Sequence, residues 1–326
     1  MRTITLEEHF WTPALSEVAA PEIKSSPLDG LLLDLGETRL AAMDAHGIDV
    51  QVIGHTVPAA QGLTGPEAVR LAREANDTLA AAVRTHPTRF AGWATLPTDD
   101  AQAAVAELER AVVELGFVGA MVNSTLGTNG VFLDDPRYDA LLASVERLDV
   151  PLYLHPGFPP AALREMLYSD LPEASCLSLA AGAWGWHSEV GLHLLRLVLA
   201  GVFERYPTLR VVIGHGGEML PFMLQRIDDF LAPERGTGLQ EMPSAYLLRN
   251  VWITTSAMTA LPPVICALQV FGVDRVLFSV DYPYTPIADC RAILDALPLS
   301  PADKAKVANG NAAALLGLEA QPPAGG

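Results

Sequence analysis

Cysteine is scarce: Cys176, Cys266 and Cys290 are the three in 326 residues, and no C-x-x-C spacing occurs. So small and scattered a set excludes a disulfide framework and a thiolate metal cluster. It suits a reducing compartment, with the three packed as small buried hydrophobes. Positive charge is short as well. Lys and Arg number 21 against 38 Asp and Glu, a net charge of −17. They nowhere form a basic run, which argues against nucleic acid and against an anionic membrane surface as partners. An anionic substrate would need a local positive feature, a metal or a buried arginine, within an acidic molecule. No apolar run reaches the ~18 residues of a spanning helix, and no basic stretch leads into an apolar one at the start. No signal peptide is therefore expected, and the protein reads as cytoplasmic. G-x-G-x-x-G after an early strand and G-x-x-x-x-G-K-[ST] are both missing, so neither a dinucleotide nor a nucleoside triphosphate site has support.

What the chain has in quantity is apolar residues, half of the total against 18% charged. That suffices for a sizeable core without disulfides or structural metal. Strands are expected at 3–6, 49–54, 90–95, 118–123, 151–155, 210–214, 251–255 and 275–279. Helices are expected at 35–47, 66–85, 100–115, 135–148, 189–206, 218–230, 259–271, 288–297 and 302–316. Eight β-then-α units without a composition break predict one (β/α)8 TIM barrel over residues 1–326, with a doubly wound sheet as second choice. Stretches 12–30 and 157–188 lack a clear period and read as loop insertions after strands one and five. The Pro/Gly tail from about 318 reads as peripheral.

The first strand runs into Glu7-Glu8-His9. Residues two apart on a strand point the same way, so Glu7 and His9 project together. That pattern alone leaves a metal pair and a capped or salt-bridged turn equally open. Three further strand ends add candidates: His155 ends strand five, His215 lies just past strand six, and Asp281 just past strand eight. A lone histidine near a core is ordinarily a hydrogen-bonded structural group. In a barrel, however, the C-terminal strand ends surround one pocket, and four converging ends point to a metal site. Carboxylates and imidazoles without thiolate suit Mn²⁺, with Zn²⁺ the alternative.

Six segments together resemble one family over nearly the whole chain. They are Leu6-Glu-Glu-His-Phe10, Met43-Asp-Ala-His-Gly-Ile48, Leu152-Tyr-Leu-His-Pro156, Ile213-Gly-His-Gly-Gly-Glu-Met-Leu-Pro-Phe222, Gln225-Arg-Ile-Asp228 and Phe278-Ser-Val-Asp-Tyr-Pro283. The family is the amidohydrolase-related, metal-dependent non-oxidative decarboxylases, and the likeness is nearest to those acting on γ-resorcylate (2,6-dihydroxybenzoate). The resemblance implies an amidohydrolase-type barrel with Mn²⁺ or Zn²⁺ held by Glu7, His9, His155 and Asp281. It implies further active-site roles for His215, Glu218 and Arg226, a small aromatic carboxylic acid as substrate, and a homodimer or homotetramer. Related enzymes often open with H-x-H, whereas Glu7-x-His9 is the form of the hydroxybenzoate decarboxylases. On that reading an ortho-hydroxybenzoate offers phenolate and carboxylate oxygens to one cation, and Asp281 protonates the ring carbon before CO₂ leaves. A metal-dependent amide or lactone hydrolase, with Asp281 as base, is the alternative, and a catalytically silent binding relative is a third reading.

The remaining candidates carry two readings each. His215 and Glu218, three apart, form a hydrogen-bonded acid/base or orienting pair, or Glu218 is a helix N-terminal acid held by the dipole. Arg226 balances substrate charge or pairs with Asp228 or another acid. Trp184, Trp186 and Tyr284 fall where the resemblance implies aromatic pocket walls, with core packing the alternative. Asn123, at the end of strand four, is a further pocket candidate. His46, His86, His187 and His193 are assigned no chemistry. His155-Pro-Gly-Phe-Pro159 departs from the family's His-Pro-Arg-Asn-Pro, losing an arginine and gaining Phe158. His55 ends strand two, where the family has no histidine, and either touches the substrate ring or caps the strand. The second ring substituent is thus open between hydroxyl, methyl and methoxy.

Overall fold

The eight apolar runs form one parallel sheet in sequence order, seen in a computed structural model that describes residues 1–19, 28–126 and 130–318. The strands are β1 (Ile4–Phe10), β2 (Val50–His55), β3 (Phe90–Ala94), β4 (Gly119–Asn123), β5 (Leu152–His155), β6 (Val211–Ile213), β7 (Val251–Thr254) and β8 (Val276–Leu277). Helices follow them as the alternation requires, making the (β/α)8 barrel. The β8 strand is only two residues long, and contacts just beyond it close the seam to β1. The backbone N–H groups of Leu6 and Glu7 donate to Ser279 Oγ at 3.1 and 2.7 Å, and that of His9 donates to Tyr282 O at 2.7 Å.

Alternate residues of a strand face opposite ways, so each strand feeds two cores. Ile4, Leu6, Val52, Trp93, Tyr153 and Val212 pack together inside the barrel with Leu315 and Leu316 of the last helix. Ile53, Ala94, Val122, Leu154 and Ile213 face the surrounding helices. The β1 strand breaks its own alternation. Thr5 pairs with Gln51 but Glu8 with Ile53, three residues against two, which is a β-bulge. After Ile4 and Leu6, strict alternation would send Glu8 inward. The bulge resets the phase, so Glu7 and His9 turn inward and Glu8 turns to the backbone after β8.

Several segments differ from expectation. Residues 12–30 contain helices Pro13–Ala19 and Asp29–Leu33 instead of a plain loop, and residues 20–27 lie outside the described residues. The 157–188 insertion carries helices Ala161–Tyr168 and Glu173–Ala180, and the next helix starts at Gly185, not 189. Helix Pro243–Asn250 runs straight into β7 and was not expected. Of the three cysteines only Cys290 is buried, while Cys176 and Cys266 are partly exposed. The tail beyond Leu318 lies outside the described residues, and no helix among them is long and apolar enough to cross a membrane.

Candidate active site

Glu7 sits at the centre of the C-terminal mouth and is completely buried. Its Oε2 accepts hydrogen bonds from the Tyr153 hydroxyl and from Thr254 Oγ1. Its Oε1 lies 3.3 Å from His155 Nε2 and 3.0 Å from His215 Nε2. His9 Nε2 lies 3.2 Å from Asp281 Oδ1. One ligand atom each from Glu7, His9 and His155 lies within 4.8 Å of the other two. Gly214 makes room for this arrangement, because a Cβ there would collide with the Glu7 carboxylate.

The orientation of His155 follows from its neighbours. Its Nδ1 is 2.9 Å from Asn123 Oδ1 and 2.7 Å from Pro156 O. Both are acceptors, so Nδ1 carries the proton and Nε2 keeps a lone pair on the Glu7 side. The loops that deliver the other groups are bent sharply. His215, Glu218 and Asp281 have φ of 48°, 51° and 77°, a left-handed conformation that non-glycine residues hold at a cost and that clusters at functional sites.

Charge is sorted unevenly across the cluster. Burial opposes ionisation of Glu7, but the charge of His215 and the contacts with His155 and His215 outweigh it and hold the carboxyl well below its usual range. Burial likewise opposes a charged His215, yet Glu7 and then Glu218 raise it to about 10. Burial takes His9 down to about 4. Burial, followed by the charge on Glu7, raises Asp281 to about 7. The mouth thus sets a histidine whose charged form Glu7 favours beside a carboxylate whose charged form His215 favours.

A cavity of about 460 Å³ opens over this cluster, with His155, His215, Asp281, Tyr284, Phe158 and Trp186 among its walls. Trp186 and Tyr284 thus line the cavity over the cluster. Trp184 is 52% exposed and lines a second cavity of about 510 Å³, to which His187, His215 and Glu218 also contribute. Arg226 is also displaced from its expected place. It lies on the exposed face of helix Leu220–Leu231, with its guanidinium 4.4 Å from the Phe230 ring centroid, because the helix carries it away from the barrel mouth at ~1.5 Å per residue. Asn123 stands behind His155 and orients that ring, and it borders a neighbouring cavity, not the central one. Glu218 precedes the helix and bonds His187, with Oε2 2.6 Å from Nδ1, so the expected His215–Glu218 hydrogen bond is replaced by a His187–Glu218 pair. His187, whose ring packs edge-on to His215 at 4.8 Å, is the residue that sequence reasoning missed. Its place in an insertion without a period offered no signal. His55 serves as a strand cap: Nε2 accepts from Thr12 N–H at 3.2 Å, so Nδ1–H donates to Thr56 O at 2.9 Å.

The residues present fit a divalent cation. Glu7 Oε1 and both ring nitrogens of His9 are buried without any hydrogen-bond partner, although native proteins satisfy nearly all such atoms. Their close approaches are ion-pair contacts without hydrogen-bond geometry, and carboxylate and imidazole donors suit Mn²⁺ or Zn²⁺. Comparisons with known proteins agree with this chemistry. The chain is 40% identical to decarboxylase orsB of Emericella nidulans over 289 residues, 86% of this chain and 85% of that one. It is 38% identical to γ-resorcylate decarboxylase of Rhodococcus jostii over 331 residues, covering 97% and 98%. A solved dihydroxybenzoic acid decarboxylase of Polaromonas sp. JS666, with bound manganese and the inhibitor 2-nitroresorcinol, matches with a TM-score of 0.90 at 34% identity, over 97% of both chains. The amidohydrolase family pattern spans residues 9–318, nearly the whole barrel, and the chain accordingly belongs to the amidohydrolase family.

Proposed function

We propose that this chain is a metal-dependent carboxy-lyase that releases CO₂ from an ortho-hydroxybenzoate, reversibly and without oxidation. The observation that carries the reading is the set of partnerless buried atoms on Glu7 and His9, gathered with His155 beneath a cavity that Asp281 also enters. Relatives named as decarboxylases over nearly the full chain support it. Glu7, His9, His155 and Asp281 would hold the ion, Mn²⁺ in preference to Zn²⁺, as the manganese in the Polaromonas enzyme supports. Bound there, it supplies Lewis-acid charge to the substrate's oxygens and so orients the ring.

The chain's own groups perform the proton chemistry. Asp281 gives its proton to the ring carbon that bears the carboxylate, which becomes tetrahedral. The C–C bond to the carboxylate then breaks, its electron pair restores the aromatic ring, and CO₂ departs, leaving Asp281 ionised until solvent reprotonates it. His215, as an imidazolium, faces the carboxylate and balances its charge. His187 and Glu218 hold one another beside His215 and set its position. The apolar walls exclude water from the reacting carbon.

The test is metal analysis of the purified protein, followed by ultraviolet assays over a panel of hydroxybenzoates and the reverse carboxylation in concentrated bicarbonate. Absence of metal together with no activity on any ortho-hydroxy acid sinks the reading. Asp281→Asn is expected to lower turnover at least ~10³-fold while substrate still binds, and wild-type rates in that variant would remove Asp281 as the acid. Self-association into a homodimer or homotetramer is proposed through the exposed apolar side chains Phe222, Trp184 and Phe230, of which Phe222 is 84% exposed. Analytical ultracentrifugation showing a monomer would refute it.

A further inference from the structure

His187, His215 and Glu218 each offer one ligand atom within 4.8 Å of the other two, the same closeness that Glu7, His9 and His155 show. All three line the cavity of about 510 Å³, which neither His155 nor Asp281 borders. Met219, Phe222 and Met258 are among its other walls. His187 comes from helix Gly185–Leu199, after the long insertion, and His215 and Glu218 from the turn between β6 and helix Leu220–Leu231. Hydrogen bonds orient this cluster much as they orient His155. His187 Nε2 is 2.8 Å from Gly182 O, which only accepts, so that nitrogen carries a proton. In the neutral ring Nδ1 then turns a lone pair toward Glu218 Oε2, 2.6 Å away, and something positive has to lie between them. A proton would satisfy that contact alone. It leaves Glu218 Oε1 buried without a hydrogen-bond partner among the described residues, on a side chain only 1% exposed, which native proteins seldom tolerate. His215 turns Nε2 to Glu7 Oε1 at 3.0 Å, so its Nδ1 is the nitrogen left for this cluster. A cation would meet all three side chains at once.

We propose that His187, His215 and Glu218 form a second divalent-cation site, separate from that of Glu7, His9, His155 and Asp281. Two imidazoles and one carboxylate, with a position left open toward the cavity, are a set that Zn²⁺ takes. The first site is richer in carboxylate and suits Mn²⁺ better. An ion at the triad ties helix Gly185–Leu199 to the loop after β6 and keeps positive charge beside His215. The inference is independent of the decarboxylase reading, because what it predicts is bound metal and not turnover.

In the experiment the full-length protein is stripped with a chelator, incubated with Mn²⁺ and Zn²⁺ together, desalted and counted by elemental analysis. The expected content is two divalent ions per chain, one of them zinc. His187→Ala should reduce the count to one, with zinc affinity at the lost site falling at least about 100-fold, beyond what removal of a merely supporting residue costs. Glu7→Gln should lose the other ion and keep the zinc. Wild-type protein that never holds more than one ion per chain overturns the second site, leaves the first standing, and needs no variant to fold. Two ions retained in full by His187→Ala would place the second ion away from this triad and equally overturn the proposal. Inactivity on every hydroxybenzoate, with both ions bound, would overturn the decarboxylase reading and leave the second site supported.

Discussion

The end of β1 presents two carboxylates on opposite faces, and both are completely buried. Glu8 is fully partnered: Oε1 accepts from Ser279 Oγ at 3.2 Å and Val280 N–H at 3.1 Å, and Oε2 from Tyr282 N–H at 3.1 Å and Gln51 Nε2 at 3.4 Å. It ties β1 to the backbone after β8, where the two-residue strand β8 provides little ladder of its own. Burial nonetheless pushes its carboxyl up to about 8, against the Val280 and Tyr282 N–H groups. Glu7 keeps one oxygen partnered, and the other faces imidazoles without a hydrogen bond. Burial therefore does not distinguish the functional carboxylate from the structural one. Completeness of hydrogen bonding does: Glu8 leaves neither oxygen without a partner, whereas Glu7 leaves Oε1 orphaned among imidazoles suited to share a cation with it.

Four variants would break or sharpen that contrast. Glu7→Gln should remove the metal and at least ~10³-fold of activity with the far-ultraviolet dichroism unchanged, and retention of a full metal equivalent would contradict the assignment. Glu8→Ala should act on folding, leaving several buried donors without an acceptor at ~1–3 kcal/mol each. Its urea midpoint falls, yet the folded fraction binds manganese as wild type does, and a selective loss of metal would place Glu8 in the site. Asn123→Ala, which frees the His155 ring, is expected to weaken manganese affinity about 10- to 100-fold, measured by titration, and an unchanged affinity would make its bond to His155 incidental. The smallest effect belongs to His55→Phe. The Thr12 N–H loses its acceptor at a stability cost of ~1–3 kcal/mol, with kcat within about threefold, and a large fall in kcat would show that His55 touches the substrate.

Much of the architecture was legible because local rules act over short spans. Buried strands and amphipathic helices alternate eight times, and the boundaries of the helix at 65–85 and of β4 and β5 lie within a residue of expectation. Short elements escaped. Helix Pro243–Asn250 abuts β7 with no intervening turn, helix Ala161–Tyr168 buries none of its residues, and each is only eight residues long, too short a span for a helical period to be read. Site residues on strand ends were legible for the same reason as the strands. Those whose role depends on what an insertion folds onto were not: His187 gained a role, Trp184 faced a different cavity, and Arg226 rode its helix outward.

By itself the sequence determined that Glu7 and His9 share a face, since residues two apart on a strand must. It determined too that His155, His215 and Asp281 close their strands and so surround one mouth. Which face of β1 looks inward was decided only in three dimensions. Ile4 and Leu6 set a phase that would bring Glu8 into the barrel, and the bulge against β2 reverses it. A bulge is a property of pairing between strands more than forty residues apart, and no pattern within either strand encodes it. The same holds for the tautomer of His155, fixed by Asn123 on the neighbouring strand, and for the cavity that Val57, Phe158 and Trp186 line, assembled from segments that meet only when the barrel closes.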